Sequence, residues 1–472
     1  MGEQELDKEV YRNIISAYFR AFEAHDFAEV QFSSKIEFLS PISGITMKGR
    51  EDVVRFVTGV STRVAKVNIL STTIDFPTAS GVWQMTTTKG VQYTLHNFFR
   101  LDGEGILFIW PMFDPKAVIA DPAGLLQWLR GEGYYEVAAR TPKQLAGVTV
   151  SKTGRMFVNI PRWVDEPTPS VAEIVANGDL VAYPNEEINV WDKKEGNSAR
   201  EHFVCVQSVV ADTDDNLWIL DPASPLFKGV VPGGPKLLKV NLATNAIERT
   251  YFFDELSAPA KSYLNDIRVA NGFGFITDSG MGAIVVLNLK TGGVRRLLEN
   301  HPSTKAELGV EPVIGDKPWK FADNSTPQVH SDGIAIDPKL EYVYYKALVG
   351  RTLYRISITA LLDDALSPEA LGKRVERVAD TEPTDGLEFD AQGNLYMTSL
   401  EGNAIKALRP SGQIDVVARS TDFLWPDTIT ISPAGDLLFS ATQFHKMPMF
   451  NNGEDKRVAP YKIFRLKLAT AF

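Results

Sequence analysis

Four aspartates recur at the same point of a repeated phrase, and together they could act as acids, bases or cation ligands. Each stands just before a hydrophobic alternation, a turn and a second apolar run. These aspartates are Asp266, Asp332, Asp385 and Asp427. Carboxyl groups that meet within a few ångströms repel one another unless a cation or shared protons lie between them. The residues therefore predict a cluster that binds a cation or transfers protons.

Amides and a histidine accompany these aspartates. Asn265 directly precedes Asp266, Gln207 fills the slot in an earlier copy, and His330 flanks the copy at Asp332. Sites whose ligands are all oxygens favour Ca²⁺, Mg²⁺ or Mn²⁺ over softer metals. The structural alternative stays open, because an aspartate at a strand start often caps a turn or accepts hydrogen bonds from nearby backbone amides.

The repeat predicts how these side chains are held together. Its six copies begin at Ala146, Gln207, Asp266, Asp332, Asp385 and Asp427. Repeats of about 40–50 residues made of strands and turns are typical of a β-propeller, so we expect six blades whose first strands line a central channel. The sixth copy runs out of chain before a fourth strand. Because an exposed sheet edge is unfavourable, we expect Tyr135–Arg140 to supply that strand and close the ring.

The first 120 residues follow a different pattern. Apolar residues recur every fourth position from Leu6 to Phe22, a second helix is expected from Arg50, and four strand-like runs follow. The predicted fold class is an α+β curved-sheet cone (1–120), a linker (121–133) and an all-β six-bladed propeller (134–472). A strongly curved sheet wrapped around a helix leaves a pocket.

A second candidate site lies in that pocket. His96 falls within a strand and Asp114 ends the next one, and such a pair can move a proton beside a carbonyl group. Trp83 and Tyr93 could form the pocket walls and contact a substrate. The alternative is a buried histidine with its hydrogen bonds satisfied and an Asp114 that only caps the turn before Pro115.

Composition narrows the classes of partner and location. The chain is 44% apolar and carries a net charge of −10 with no basic run, which argues against nucleic acid or an anionic membrane as a partner. The acidic, polar first residues do not resemble a secretory signal, and Cys205 is the only cysteine, so we expect a cytoplasmic protein. Neither a P-loop nor a dinucleotide-binding glycine motif is present, so no nucleotide cofactor is expected.

The N-terminal region resembles the SnoaL-like polyketide cyclase family. The resemblance spans roughly residues 5–120 and is carried by the GREDVVRFV helix and the HNFFRLDGEGILFIWPMFDP hairpin. It implies a cone with an apolar pocket used for cyclisation, isomerisation, dehydration or binding. It also implies a possible homodimer formed through the sheets of two cones.

Residues from about 135 to 470 resemble the yellow/major royal jelly protein family. GRMFVNIPRW and VQSVVADTDDNLWILD match its two hallmark stretches. More distantly, the region is similar to the gluconolactonase/senescence-marker propellers through the Asn-Asp and Asp-Gly strand starts. That second resemblance implies a divalent cation held by Asn265 or Asp266, Asp332 and Asp385, with Asp385 also acting as base. Ala146 stands where the family usually has a glutamate.

Three functions follow from these patterns. The favoured one is metal-assisted hydrolysis or isomerisation of a lactone or related carbonyl compound in the propeller channel, as part of specialised metabolism, with Gln207, His330 and Asp427 contacting the substrate. The second is cyclase, isomerase or dehydratase chemistry in the cone. The third is a propeller that binds a small ligand without turnover, as in amine-binding relatives of the yellow family.

Overall fold

The computed structural model describes residues 3–39, 46–88, 90–113, 135–165, 169–175, 178–192 and 198–468. Asp114 and the predicted linker 121–133 lie outside these ranges. The chain divides into two compact units, Met1–Glu136 and Val137–Leu468. None of the described helices is both long and apolar enough to cross a membrane.

The first unit combines two helices with one curved sheet. The helices are α1 (Glu3–Ala24) and α2 (Arg50–Ser61). The strands are β1 (Phe32–Leu39), β2 (Thr46–Lys48), β3 (Val64–Asp75), β4 (Thr78–Thr87), β5 (Gln92–Asp102) and β6 (Gly105–Phe113). Their order in the sheet is β2-β1-β6-β5-β4-β3, and only the β1–β6 pair is parallel among these neighbours.

Aromatic rings fill the space between helix α1 and the sheet. Phe19 and Phe22 of α1 lie 5.2 and 5.1 Å from the Trp83 ring, measured between centroids. Gly81 permits this packing, because a Cβ there would come within 2.5 Å of the Phe19 ring. These rings belong to the apolar core that helix α1 forms with the sheet.

The second unit consists of repeated four-stranded antiparallel sheets, called blades one to six below. Blade one contains β8 (Val148–Val150), β9 (Met156–Asn159), β10 (Val171–Ile174) and β11 (Leu180–Ala182). Blade two contains β12 (Ser208–Ala211), β13 (Asn216–Asp221), β14 (Lys236–Asn241) and β15 (Ala246–Phe252). Blade three contains β16 (Leu264–Ala270), β17 (Phe273–Asp278), β18 (Ala283–Asn288) and β19 (Val294–Leu297).

The remaining blades follow the same order. Blade four contains β22 (Ser331–Ile336), β23 (Tyr342–Ala347), β24 (Thr352–Ser357) and β25 (Glu376–Asp380). Blade five contains β26 (Leu387–Phe389), β27 (Leu395–Ser399), β28 (Ala404–Leu408) and β29 (Ile414–Arg419). Between blades three and four lies a small hairpin, β20 (Val313–Ile314) and β21 (Lys317–Pro318). Short helices α3 (Glu186–Asn189), α4 (Ile358–Leu362) and α5 (Pro368–Gly372) lie in connections.

Blade six takes its fourth strand from the segment of the chain that precedes blade one. It contains β30 (Pro426–Ile431), β31 (Asp436–Ala441), β32 (Tyr461–Lys467) and, as its fourth strand, β7 (Tyr135–Thr141). The prediction that Tyr135–Arg140 would complete this sheet is confirmed. First strands of successive blades contact one another, and β30 contacts β8. This arrangement is the one expected for a six-bladed β-propeller.

Candidate functional site

Strand register decides which residue of each blade stands at the mouth of the channel. The apolar residues that pair with the second strand are Val148, Val209, Ile267, Ile334, Leu387 and Ile429. Counting back two residues from each defines the mouth slots: Ala146, Gln207, Asn265, Asp332, Asp385 and Asp427. The prediction that Asp266 shares this slot is wrong by one residue, because Asn265 occupies it.

Backbone irregularity aims these side chains. Strands β16, β22 and β30 each have a register shift at the slot, between Leu264 and Ile267, Ser331 and Ile334, and Pro426 and Ile429. Such bulges bend a strand and redirect a side chain, and they are frequent beside functional sites. The slot residues of these three strands therefore lie outside the regular ladder pairing, and they line one cavity.

The glycines after two of the aspartates serve close packing between blades. A Cβ on Gly333 would lie 2.2 Å from the carbonyl oxygen of Asp385, and one on Gly386 would lie 2.2 Å from that of Asp427. Each Asp-Gly pair thus lets the next blade place its own slot residue against it. The close approach of the next blade explains why glycine follows each aspartate. The aspartate side chain takes no part in that contact and remains available to a ligand at the mouth of the channel.

A cavity of about 480 Å³ opens at this end of the second unit. Five of the slot residues line it: Gln207, Asn265, Asp332, Asp385 and Asp427. A second cavity of similar volume lies beside blades four and five, but its cations are already paired, Lys406 with Glu382 and Arg351 with Glu401. The slot cavity is therefore the candidate site.

Three carboxyl groups, the acid trio Asp332, Asp385 and Asp427, crowd into this cavity, and two of them, Asp332 and Asp427, are buried. Burial, followed by the neighbouring carboxylates, raises the pKa of Asp332 and of Asp427 well above the usual range. Burial also raises the pKa of Asp385, to about 6, against the opposing effect of hydrogen bonds from Trp425 and Asp332. Asp385 therefore ionises before Asp332 and Asp427, which hold their protons to higher pH.

Trp425 fixes the carboxylate of the trio. Its indole Nε1 donates to Oδ2 of Asp385 over 2.8 Å. A hydrogen bond to the charged form favours ionisation, so this contact holds the pKa of Asp385 below those of its two neighbours. Asp385 is the member of the trio that is suited to accept a proton near neutral pH.

Asp266 lies beneath the trio and forms an ion pair and a hydrogen bond there. Its Oδ2 pairs with Nη1 of Arg268 at 2.8 Å, and its Oδ1 accepts a hydrogen bond from Ser208. Arg268 is buried and reaches from blade three to blade five, where it donates to the carbonyl oxygen of Leu387 over 2.7 Å and lies 3.4 Å from Glu388. The Asp266 side chain is therefore part of an ion pair and does not line the cavity.

Hydrogen bonding orients the amide of Gln207. Nε1 of Trp163 donates to the Tyr263 hydroxyl over 2.9 Å, and that hydroxyl lies 2.8 Å from Oε1 of Gln207. An indole can only donate, so the Tyr263 proton must go to Gln207. This leaves the Nε2 protons of Gln207 for a ligand. In the neighbouring slot, Asn265 uses Nδ2 to donate to Asp332 over 2.9 Å.

An aromatic wall surrounds the acids. It consists of Trp163, Phe227, Tyr263, Trp319, Trp425 and Phe444. Phe444 is central, with its ring 4.8 Å from that of Trp163 and 5.2 Å from that of Trp425. Phe227 and Trp425 have left-handed backbone with φ of 56° and 61°. Bulky residues rarely adopt it, and such strain, on the order of 1–3 kcal/mol each, concentrates at ligand sites.

Residues 204–470, more than half of the chain, match the family model described as major royal jelly protein. The chain belongs to the major royal jelly protein family. Residues 6–134 match a second model, described as a domain of unknown function (DUF4904). The resemblance of this region to SnoaL-like cyclases therefore stays a prediction. No curated protein matches the chain.

Solved structures give distant similarities to this royal jelly family chain. A virginiamycin B lyase from Staphylococcus aureus is 14% identical, with 71% of this chain and 98% of that one covered and a TM-score of 0.41. A gluconolactonase from Xanthomonas campestris is 12% identical over 73% and 93%, with a TM-score of 0.43. An NTF2-like protein of unknown function from Cytophaga hutchinsonii is 13% identical over 23% and 94%, with a TM-score of 0.20.

The remaining predicted site residues of the royal jelly family chain lie apart from the trio. His330 accepts a hydrogen bond at Nδ1 from the Ala306 amide over 2.9 Å, and burial lowers its pKa, so it is a neutral structural contact. His96 is exposed, whereas Trp83 and Tyr93 are buried in the core of the first unit. His96 therefore points away from the two residues expected to share its pocket. Asp114 lies outside the described residues.

The slot residues offer carboxyl and amide oxygens, which are donors of the kind that bind a divalent cation. Asn265, Asp332 and Asp385 do meet, but the carboxyl oxygens accept hydrogen bonds from Asn265 and Trp425, and Asp332 and Asp385 bond to each other. Among the described residues, no three His, Cys, Asp or Glu side chains converge as ligands of one metal ion. The described arrangement is satisfied by shared protons, which a cation would have to displace.

The aromatic wall is the part of the site that sequence reasoning missed. Trp163 and Trp425 are buried in apolar clusters and also line the cavity, whereas Trp218 packs between blades. The positions of the wall residues relative to the strands were the signal that could have identified them. Trp163, Phe227 and Phe444 all follow the second strand of a blade, and Trp425 directly precedes a first strand. Both kinds of connection lie at the mouth end.

Replacement of Asp385 by Asn should stabilise the folded chain at high pH. The pKa rises from 3.8 to about 6 on folding, so the aspartate's stabilising contribution is present below about pH 4 and is lost as the pH rises through 6. At about 1.4 kcal/mol for each pH unit, Asp385→Asn should raise the free energy of unfolding by about 1–3 kcal/mol near pH 8 and change it little near pH 4. Urea unfolding followed by tryptophan fluorescence measures both values.

Glu255→Gln, a substitution of an exposed carboxylate, is the matched control and should have little effect at either pH. A less stable Asp385→Asn variant near pH 8 would contradict the buried charge at this position.

Proposed function

We propose that the mouth cavity performs acid–base chemistry on the carbonyl group of a small organic molecule, with hydrolysis or isomerisation of a lactone or related compound as the reaction class. The observation that carries the proposal is the acid trio: a carboxylate with a pKa of about 6 beside protonated carboxyl groups. Acid and base of this kind, held side by side in an apolar cavity, are what proton transfer next to a carbonyl requires.

Asp385 is the base in this proposal. In hydrolysis it removes a proton from the attacking water, and in isomerisation it removes one from the carbon beside the carbonyl. Trp425 holds Oδ2 of Asp385 over 2.8 Å and so fixes the orientation of the carboxylate that receives the proton. A base whose pKa lies close to the working pH combines a large ionised fraction with adequate proton affinity.

Donors beside the base would stabilise the oxygen that gains charge. The protonated carboxyl of Asp332 or Asp427 and the Nε2 protons of Gln207 can donate to it, and the Trp163–Tyr263 pair fixes the orientation of Gln207. Donors already in place stabilise a developing oxyanion without reorganisation. The aromatic wall excludes water and packs against the rest of the molecule.

Binding without turnover is a second candidate, favoured by the aromatic wall itself. Rings that line a cavity together with buried carboxyl groups attract organic cations through cation–π and charge interactions. A bound cation would ionise the trio and so remove its protonated donors. Saturable binding of tryptamine by a protein that hydrolyses no lactone would favour this candidate.

Catalysis in the first unit has less support. Trp83 packs against Phe19 and Phe22 in the core of this unit, and His96 is exposed. Cyclase-like chemistry there, a homodimer through its sheet, a cytoplasmic location and a role in specialised metabolism remain predictions from the sequence.

Dihydrocoumarin, an uncharged aromatic lactone, is a suitable probe of the proposed reaction. Its hydrolysis rate, kcat/KM, should rise with pH through about 6 as Asp385 ionises, and should fall again when Asp332 or Asp427 loses its proton. Asp385→Asn should lower kcat by about 10²–10⁴-fold, because Asn keeps the contact with Trp425 but cannot take a proton. Steady-state absorbance assays across the pH range give both results.

His96→Ala serves as the control and should leave the rate unchanged. Full activity in Asp385→Asn, or activity abolished by His96→Ala, would contradict the assignment and point to the first unit.

A divalent cation at the trio stays a separate proposal, supported by the oxygen-rich slot residues. Protons on Asp332 and Asp427 would compete for the same oxygens, so Ca²⁺, Mg²⁺ or Mn²⁺ should bind more tightly near pH 8 than near pH 5.5. Calorimetric titration of EDTA-treated protein measures the affinity, and binding should be lost in Asp332→Asn. Unchanged dihydrocoumarin hydrolysis after EDTA treatment, with no heat of cation binding, would contradict this proposal and leave the acid–base mechanism standing.

A further inference from the structure

Two lysines stand at the open end of the mouth cavity. Lys228 and Lys261 contribute to its lining and are exposed, whereas Asp332 and Asp427 are buried at its inner end. In the described part of the chain, neither lysine side chain forms a hydrogen bond or an ion pair. The cavity therefore has cations at its rim and acids at its floor.

The backbone fixes the two lysines beside each other. Lys228 lies in the connection after β13 and Lys261 in the one before β16, and the Val230 amide donates to the Ala260 carbonyl over 3.0 Å. Gly229 has a φ of 99°, and a Cβ there would lie 2.7 Å from the same carbonyl oxygen. Both lysines are thus adjacent to a tight backbone contact, which holds the two segments that carry them side by side at the cavity.

Backbone strain marks the segment that carries Lys228. Ala223, Leu226 and Phe227 have φ values of 50°, 57° and 56°, a left-handed conformation that non-glycine residues rarely adopt. The turn places the Phe227 ring in the aromatic wall, 5.7 Å from Tyr263, with Lys228 immediately after it. Strain of this kind is retained where a fixed geometry serves a ligand.

We propose that the molecule bound in the mouth cavity is an organic anion, with a ring against the aromatic wall and a carboxylate or similar acid group at Lys228 and Lys261. This inference rests on the proposed function and names the substrate class of the same site. Two neighbouring, unpaired ammonium groups favour an anion between them, and the Asp385 carboxylate repels it from the floor. The charges therefore orient the molecule with its carbonyl group toward the trio and its acid group outward.

A matched pair of probes tests the charge preference. trans-Cinnamate and cinnamamide have nearly the same size and differ in charge at neutral pH. Quenching of the fluorescence of the wall tryptophans Trp163, Trp319 and Trp425 reports their binding. Cinnamate should bind about tenfold more tightly than cinnamamide at low salt, and the preference should shrink as salt is added.

Variants locate the preference on the chain. Lys228→Met with Lys261→Met should remove the difference between the two probes. Lys290→Met with Lys339→Met, a pair of exposed lysines outside the cavity, is the matched control and should preserve it. Circular dichroism verifies that both double variants fold.

Equal affinity of the native protein for the two probes, binding of neither, or a preference that survives in the Lys228/Lys261 variant would overturn the inference. Its failure is separable from that of the proposed reaction. A native protein that prefers cinnamate but does not hydrolyse dihydrocoumarin retains the anion subsite and loses the reaction. Hydrolysis without any preference for cinnamate retains the reaction and loses the subsite.

Discussion

Electrostatic repulsion among three carboxyl groups that line one cavity is the constraint on which the site depends. Asp332, Asp385 and Asp427 come from three successive blades and cannot all ionise without water or a compensating charge around them. The three acids have different hydrogen-bond partners, and this difference decides which of them ionises first. Trp425 stabilises the charge on Asp385, so Asp385 loses its proton before the other two acids do. A difference in proton affinity between neighbouring groups of one type is the basis of acid–base function in such a cavity.

The surrounding structure serves to hold that crowding in place. Gly333 and Gly386 let adjacent blades bring their slot residues together, and bulges in three first strands turn the side chains inward. Asp266 pairs with Arg268 beneath the trio, and its charge still adds to the repulsion that raises the pKa of each of the three acids. The Phe227 and Trp425 positions carry backbone strain in the aromatic wall, and the propeller frame supplies the stability that retains it.

The regular repeat of strands could be predicted from the sequence, whereas the local bulges within those strands could not. The spacing of the repeat was sufficient for six blades and for closure by β7, because strand periodicity and sheet edges obey general rules. The slot of Asp266 was misassigned because alignment on the acidic residue ignored the bulge, whereas alignment on Ile267 would have found Asn265. His96 was placed on the correct strand, but alternation alone does not say which face is covered by helix α1.

Titration of the aspartate carboxyl carbons by ¹³C NMR is the most direct test of the central claim. Assignment by Asp332→Asn, Asp385→Asn and Asp427→Asn should show one resonance with a midpoint near 6 and two that remain protonated to distinctly higher pH. Ordinary titration of all three groups near pH 4 would contradict the account, since the trio would then be an open, hydrated set of acids with no member fitted to donate a proton.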